Sequence, residues 1–233
     1  MVKQPAEIVA IQKAVDITAA SLKDAFKQKY RYEYELEAQI AQGFRARGAK
    51  GHSFEPIVAG GQRACTLHYL ANQAKLQPGE LIICDVGAEY NHYAADITRT
   101  ISQTKPTQRQ IDVYTAVQRV QQQAMSLLKP GVKLRSYENK VADLMAQELK
   151  KLGLIKRNKD VRKYFPHATS HFLGLNVHDV GDYQQPLQPG NVLTVERGIY
   201  IPEEGIGVRL EDNVLITEDG ARNLSAKLKQ KLW

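Results

Sequence analysis

Four carboxylates stand at matched places in this chain. Asp85 follows the apolar run Leu81-Ile82-Ile83-Cys84, and Asp96 lies in the next strand-like stretch, Tyr93 to Thr100. Glu196 follows Val192-Leu193-Thr194-Val195, and Glu211 ends Gly207-Val208-Arg209-Leu210-Glu211. Two buried carboxylates brought close together repel unless they share a proton or hold a cation. Four converging on one place would need two divalent ions. Oxygen-rich donors favour Mn²⁺ or a similarly hard ion over a structural zinc, with Zn²⁺ and Co²⁺ as alternatives. Paired ions about 3.5–4 Å apart activate a water and polarise a carbonyl.

Two hairpins would bring these carboxylates together. A turn at Tyr90-Asn91 predicts that Asp85 and Asp96 face each other directly, with Cβ atoms about 4.5–5.5 Å apart. A turn near Pro202-Glu203-Glu204-Gly205 predicts the same for Glu196 and Glu211. Three of the six histidines fall between positions 167 and 178. This segment is not the H-E-x-x-H zinc helix, because Ala168 stands where that motif needs Glu. One of these histidines joining the four carboxylates would complete a five-ligand, two-metal site, and the others could donate to a developing oxyanion.

The elements that must position these groups occur twice. Leu76-Gln77-Pro78-Gly79 recurs as Leu187-Gln188-Pro189-Gly190, each followed by an apolar run that ends in a carboxylate two residues before a glycine. Arg31 to Gly48 aligns with Ser136 to Gly153, and both carry helical apolar spacing, Leu36/Ile40/Phe44 and Val141/Met145/Leu149. Gly48 and Gly153 supply the helix stops. Earlier helices are predicted over 5–29 and 107–129. Each half therefore reads as two helices followed by strands, an α+β plan in which helices back a curved sheet. The expected organisation is a single domain over 1–233, duplicated about 1–105 and 106–233, with the site between the halves.

Composition narrows the class. A chain of 233 residues, 43% apolar and 24% charged, is an ordinary globular protein able to bury a core. No stretch approaches the roughly 18–20 apolar residues of a membrane span, and the start, Met-Val-Lys-Gln-Pro-Ala-Glu, has no export-signal character. Cys65 and Cys84 are the only cysteines; Cys84 reads as a small core residue in a reducing, cytoplasmic setting. The net charge of +7 is concentrated from Lys150 to Lys163. Without aromatic interleaving or a nucleic-acid motif, that stretch reads as a solvated helix end, and nucleic acid is not expected as a partner.

Taken with their flanks, these residues resemble the aminopeptidase P and prolidase family. The segments that carry the likeness are CTLHY (65–69), DVGAEYNHYAADITRT (85–100), HATSHFLGLNVHDVG (167–181) and TVERGIYIPEEGIGVRLEDNVLIT (194–217). The resemblance implies the pita-bread fold, a curved antiparallel sheet with pseudo-two-fold symmetry. It implies metal ligation by Asp85, Asp96, His171, Glu196 and Glu211, with Asp96 and Glu211 bridging and Glu196 also the general base. It implies that His68 and His178 contact substrate and stabilise the tetrahedral intermediate. His167, Val177, Tyr200 and Arg209 match the walls of a proline pocket. The implied activity is removal of the N-terminal residue in front of proline, from peptides with proline at the second position. A homodimer is a further expectation.

Three departures stand out. Arg197 occupies a position usually held by proline, and Ala168 one usually held by glycine. The N-terminal domain usual in such chains is absent from this sequence. Competing readings are an Xaa-Pro dipeptidase and a catalytically inactive binding module on the same fold. Residues 182–191 lack the arginine that would clamp a dipeptide's carboxylate, which favours the aminopeptidase.

Overall fold

Residues 1–233 are described by a computed structural model. The chain opens with α1 (Pro5–Ala25), which has proline in its first turn, where a missing N–H costs nothing. α2 (Glu33–Ala46) packs against it through Leu36, Ile40 and Phe44, the apolar stripe read from the sequence. Short β1 (Gly51–His52) and β2 (Ile57–Gly60) lead into a 3₁₀ turn, Gly61–Cys65. β3 (Leu81–Val86), β4 (Ala88–Tyr90), β5 (Tyr93–Ala94) and β6 (Ile97–Ser102) complete the first half.

The second half repeats the order. α3 (Gln108–Ser126) begins at Thr107, whose hydroxyl accepts from the Gln110 N–H in a capping box. α4 (Leu134–Lys151) buries Tyr137, Val141, Met145 and Leu149. β7 (Val192–Ile201), β8 (Ile206–Ile216) and β9 (Ala221–Asn223) follow. Corresponding glycines share a backbone conformation: φ is +85° at Gly48 and +75° at Gly153, and +86° at Gly79 and +85° at Gly190.

All three sheets are antiparallel, ordered β2-β3-β6, β1-β4-β5 and β7-β8-β9. The second hairpin has the predicted register, with Glu196 opposite Glu211. The first does not. Asp85 lies opposite Thr98, not Asp96. The turn is formed by Asn91 and His92, at φ +48° and +69°, one residue later than the sequence suggested. Positive φ at both central residues is the signature of a type I′ turn, whose twist suits a hairpin. Moving a turn by one residue moves the cross-strand register by two. Two is the side-chain period, so Asp96 stays on the face of Asp85 as its diagonal neighbour. The ladder is interrupted beside Asp96 at Gly87, where a Cβ would meet the Ala95 carbonyl oxygen at 1.7 Å.

The halves meet along β6 and β8, which lie side by side but are joined through side chains. The Thr100 hydroxyl donates to the Arg209 carbonyl and accepts from the Arg209 N–H, both at 2.9 Å. Asn213 caps the Asp96 backbone, accepting its N–H at 3.0 Å. Arg99 donates to the Glu211 carbonyl at 2.7 Å and to the Asp212 carboxylate at 2.6 Å. One core lies between α3, α4 and the β7-β8 sheet, and a second between α1, α2 and the β3-β6 sheet.

Candidate metal centre

The carboxylates gather on this seam. Asp96 Oδ2 is 3.4 Å from His171 Nε2, and Glu211 Oε1 is 3.8 Å from the same nitrogen. Asp96, His171 and Glu211 each offer a ligand atom within 4.8 Å of one another. Asp85 joins from β3, ion-paired to Arg209 at 2.8 Å. Glu196, half-buried on β7, faces the cluster from across the β7-β8 ladder. Its Oε1 is 3.5 Å from His167 Nδ1 and 3.9 Å from Arg209 Nε.

Strand alternation explains this convergence. Asp96, Thr98 and Thr100 share one face of their segment, as do Arg209, Glu211 and Asn213 on β8. Thr98 donates to Glu211 Oε2 at 2.8 Å, a contact the sequence reading did not identify. Its signal was the two-residue spacing from Asp96, read only as strand periodicity.

Burial raises the pKa of Asp96 well above the usual carboxylate range, and the negative charges of Glu211, Asp85 and Glu196 raise it further. Burial likewise raises Glu211, helped by Glu196 and Asp85, and the Thr98 hydrogen bond and Arg209 only partly offset this. Burial lowers His171 and His167, so both imidazoles are neutral near pH 7. Arg209 remains charged: burial opposes its charge, but Tyr200, Asp85 and Glu196 around it outweigh that cost.

The donor set fits cations. Asp85 Oδ1, Asp96 Oδ1 and Glu211 Oε1 are buried without a hydrogen-bond partner. Buried polar atoms are ordinarily satisfied, and three orphaned carboxylate oxygens in one cluster are lone pairs available to a metal.

Beside the cluster, the Tyr200 hydroxyl lies 3.0 Å from His167 Nε2 and accepts from Arg209 Nη1 at 3.1 Å. His167, Tyr200 and Arg209 thus form a continuous wall, with Arg209 reaching on into the carboxylates. His178 is exposed, its ring perpendicular to that of His171 at 4.5 Å between centroids. His68 is exposed in the segment after the 3₁₀ turn and joins none of the cluster's hydrogen bonds. Val177 packs, half-buried, against the core of the first half and not against Tyr200.

Arg197 is accommodated without a carboxylate partner. Strand alternation turns it away from Glu196 to the opposite face, where it is fully buried. There it donates to the carbonyls of Thr169 and Glu196 and, at 2.5 Å, to the Tyr137 hydroxyl on α4.

The profile of metallopeptidase family M24 matches residues 9–218. The chain belongs to metallopeptidase family M24. Among M24 relatives it is 40% identical over 252 residues to the Xaa-Pro aminopeptidase of Escherichia coli K12, covering 98% of this chain and 57% of that protein. It is 41% identical over 245 residues to Xaa-Pro aminopeptidase 3 of Rattus norvegicus, covering 97% and 48%. The structure superposes with TM-score 0.94 on aminopeptidase P from E. coli with the inhibitor Pro-Leu, at 37% identity, covering 99% of this chain and 57% of that one. Proline aminopeptidase P II from Yersinia pestis gives TM-score 0.94 at 36% identity, covering 99% and 58%. The fold is therefore the pita-bread fold of these enzymes. This M24 chain spans about half the length of the curated relatives it matches. No helix is long and apolar enough to cross a membrane.

Proposed function

We propose that this chain carries the catalytic machinery of an Xaa-Pro aminopeptidase, as one domain over 1–233 built from two similar halves. The observation that carries the reading is the cluster of four carboxylates and His171 containing three buried carboxylate oxygens without partners. Asp85, Asp96, His171, Glu196 and Glu211 would hold two divalent cations, with Mn²⁺ favoured by the oxygen-rich donors. Bound there, the ions supply Lewis acidity toward a peptide carbonyl and a nucleophilic water at neutral pH.

The remaining work belongs to the chain's own groups. In this reading half-buried Glu196 takes a proton from the attacking water and delivers it to the proline nitrogen as the C–N bond breaks. On the same reading His178 donates to the oxygen that gains charge, and His68, on the segment after the 3₁₀ turn, contacts the substrate. Asp85 receives the free amine, which restricts cleavage to the first peptide bond. Proline has no N–H to offer, so its ring is selected by shape against His167, Tyr200 and Arg209. Two free cysteines, one of them fully buried, suit the reducing cytoplasm.

The test is hydrolysis of Xaa-Pro-Xaa tripeptides and Xaa-Pro dipeptides, with Mn²⁺ and with a chelator. Metal-dependent release of the first residue from tripeptides is expected. Cleavage of dipeptides alone would move the assignment to a dipeptidase. No turnover by folded, metal-loaded protein would remove the catalytic reading.

A further inference from the structure

His178 is carried on a tight loop that leaves the cluster at His171. The loop is held along its near side by backbone bonds: Leu173 N–H to the Val192 carbonyl at 3.0 Å, Ala94 N–H to the Gly174 carbonyl at 2.8 Å, and Asp179 N–H to the Phe172 carbonyl at 2.9 Å. A charge brought from the start of the chain holds its far end. Lys3 Nζ donates to Asp179 Oδ2 at 2.8 Å, with only 2% and 6% of the two side chains exposed. Lys3 is itself located by its N–H, which donates to the Gly190 carbonyl at 2.8 Å, and by the bridge between Val2 and Asn191. Gly174 seals the pair, since a Cβ there would meet Asp179 Oδ2 at 2.2 Å and Lys3 Cε at 2.7 Å.

Burying a lysine and an aspartate is costly, and an apolar pair of similar volume would often serve stability as well. An ion pair adds what apolar packing lacks, a fixed direction and partner. The residue it fixes is the neighbour of Asp179 in the chain. His178 is exposed and makes no side-chain hydrogen bond, and its ring stands perpendicular to that of His171 at 4.5 Å between centroids.

We propose that Lys3 is a positioning residue: through Asp179 it holds the His178 imidazole beside His171, where a substrate's carbonyl oxygen would lie. The catalytic consequence rests on the peptidase reading; the clamp itself does not.

The experiment has two arms that fail separately. In metal-free wild-type protein, hydrogen exchange at the Asp179 amide should be protected at least ~100-fold over an open loop, with an NOE between the His171 and His178 rings. In Lys3→Met that protection and the NOE should be lost while the α3 and α4 amides stay protected. In the Mn²⁺-loaded enzyme, Lys3→Met should lower kcat per folded molecule about tenfold or more, with KM and metal stoichiometry unchanged and partial recovery in Lys3→Arg. A merely structural role would lower the melting temperature and leave kcat and the NOE intact, which overturns the proposal. Should Lys3→Met not fold, the wild-type exchange decides, because a rapidly exchanging Asp179 amide shows that no clamp exists. If wild-type protein lacks peptidase activity, that reading falls and the exchange arm alone judges the clamp.

Discussion

Arg209 Nη2 lies 2.8 Å from Asp85 Oδ2, joining residues 124 positions apart and from different halves of the chain. The guanidinium is the one cation inside the carboxylate cluster, and it also reaches the Tyr200 hydroxyl. Its loss would leave Asp85 buried and unpaired. Arg209→Met should therefore destabilise the metal-free chain by about 3–5 kcal/mol, the cost of breaking a buried ion pair. Saturating Mn²⁺ should recover much of that loss, because a cation replaces the missing charge. Urea unfolding with chelator and with Mn²⁺ measures both; equal losses in the two conditions would contradict this account.

Asp96 and Glu211 have folded-state pKa values raised by burial first and by neighbouring carboxylates second. The folded state therefore holds protons that the unfolded state releases. Without metal, their contribution makes stability fall as pH rises from the ordinary carboxylate value toward the raised one. Melting temperatures of chelator-treated protein across this range should show that slope, and Asp96→Asn should flatten it. Added Mn²⁺ should reverse the trend, since ionised ligands bind the metal better. A slope unchanged in Asp96→Asn would mean that Asp96 is not its source.

Thr98 Oγ1 orients Glu211 by donating to Oε2 at 2.8 Å. Thr98→Val keeps the shape and removes the donor, leaving a second Glu211 oxygen unpaired. Metal affinity measured by calorimetry should drop about 10-fold to 100-fold, the usual cost of losing a hydrogen bond behind a ligand. Affinity within twofold of wild type would show that Glu211 needs no such support.

Arg197 predicts a contrast with these. It ties Thr169 and Glu196 to Tyr137 on the face of β7 opposite the metal centre. Lysine cannot reproduce the planar fork. Arg197→Lys should cost about 1–3 kcal/mol by leaving buried acceptors unsatisfied, while metal affinity stays close to that of the parent. Chemical unfolding beside a metal titration separates the two, and a large loss of affinity at unchanged stability would reverse the assignment.

Much of the molecule could be read locally. Helical spacing located α2 and α4, whose apolar stripes are buried as expected, and the duplicated Leu-Gln-Pro-Gly segments marked the entries to β3 and β7. The opposition of Glu196 and Glu211 followed from a turn announced by Pro202 and Gly205. The first hairpin was misread because Asn91 and His92, the two residues at positive φ, form its turn in place of Tyr90 and Asn91. Asparagine tolerates that conformation and histidine adopts it less readily, so the pair carried a weaker signal than Asn-Gly would.

By itself the sequence determined the four helices and the apolar runs that became β3, β7 and β8, because those depend on periods of 3.6 and 2 set by neighbouring residues. Tertiary structure alone decided the pairing of Asp85 with Arg209, the Thr98 support of Glu211, the packing of Arg197 against Tyr137 and the burial of Lys3 against Asp179. The Asp85–Arg209 and Thr98–Glu211 partners, each joined across more than a hundred residues, meet only when the two halves close along β6 and β8. The energies of all four contacts come from desolvation and charge in packed surroundings, a property of the folded molecule that no local stretch of chain carries.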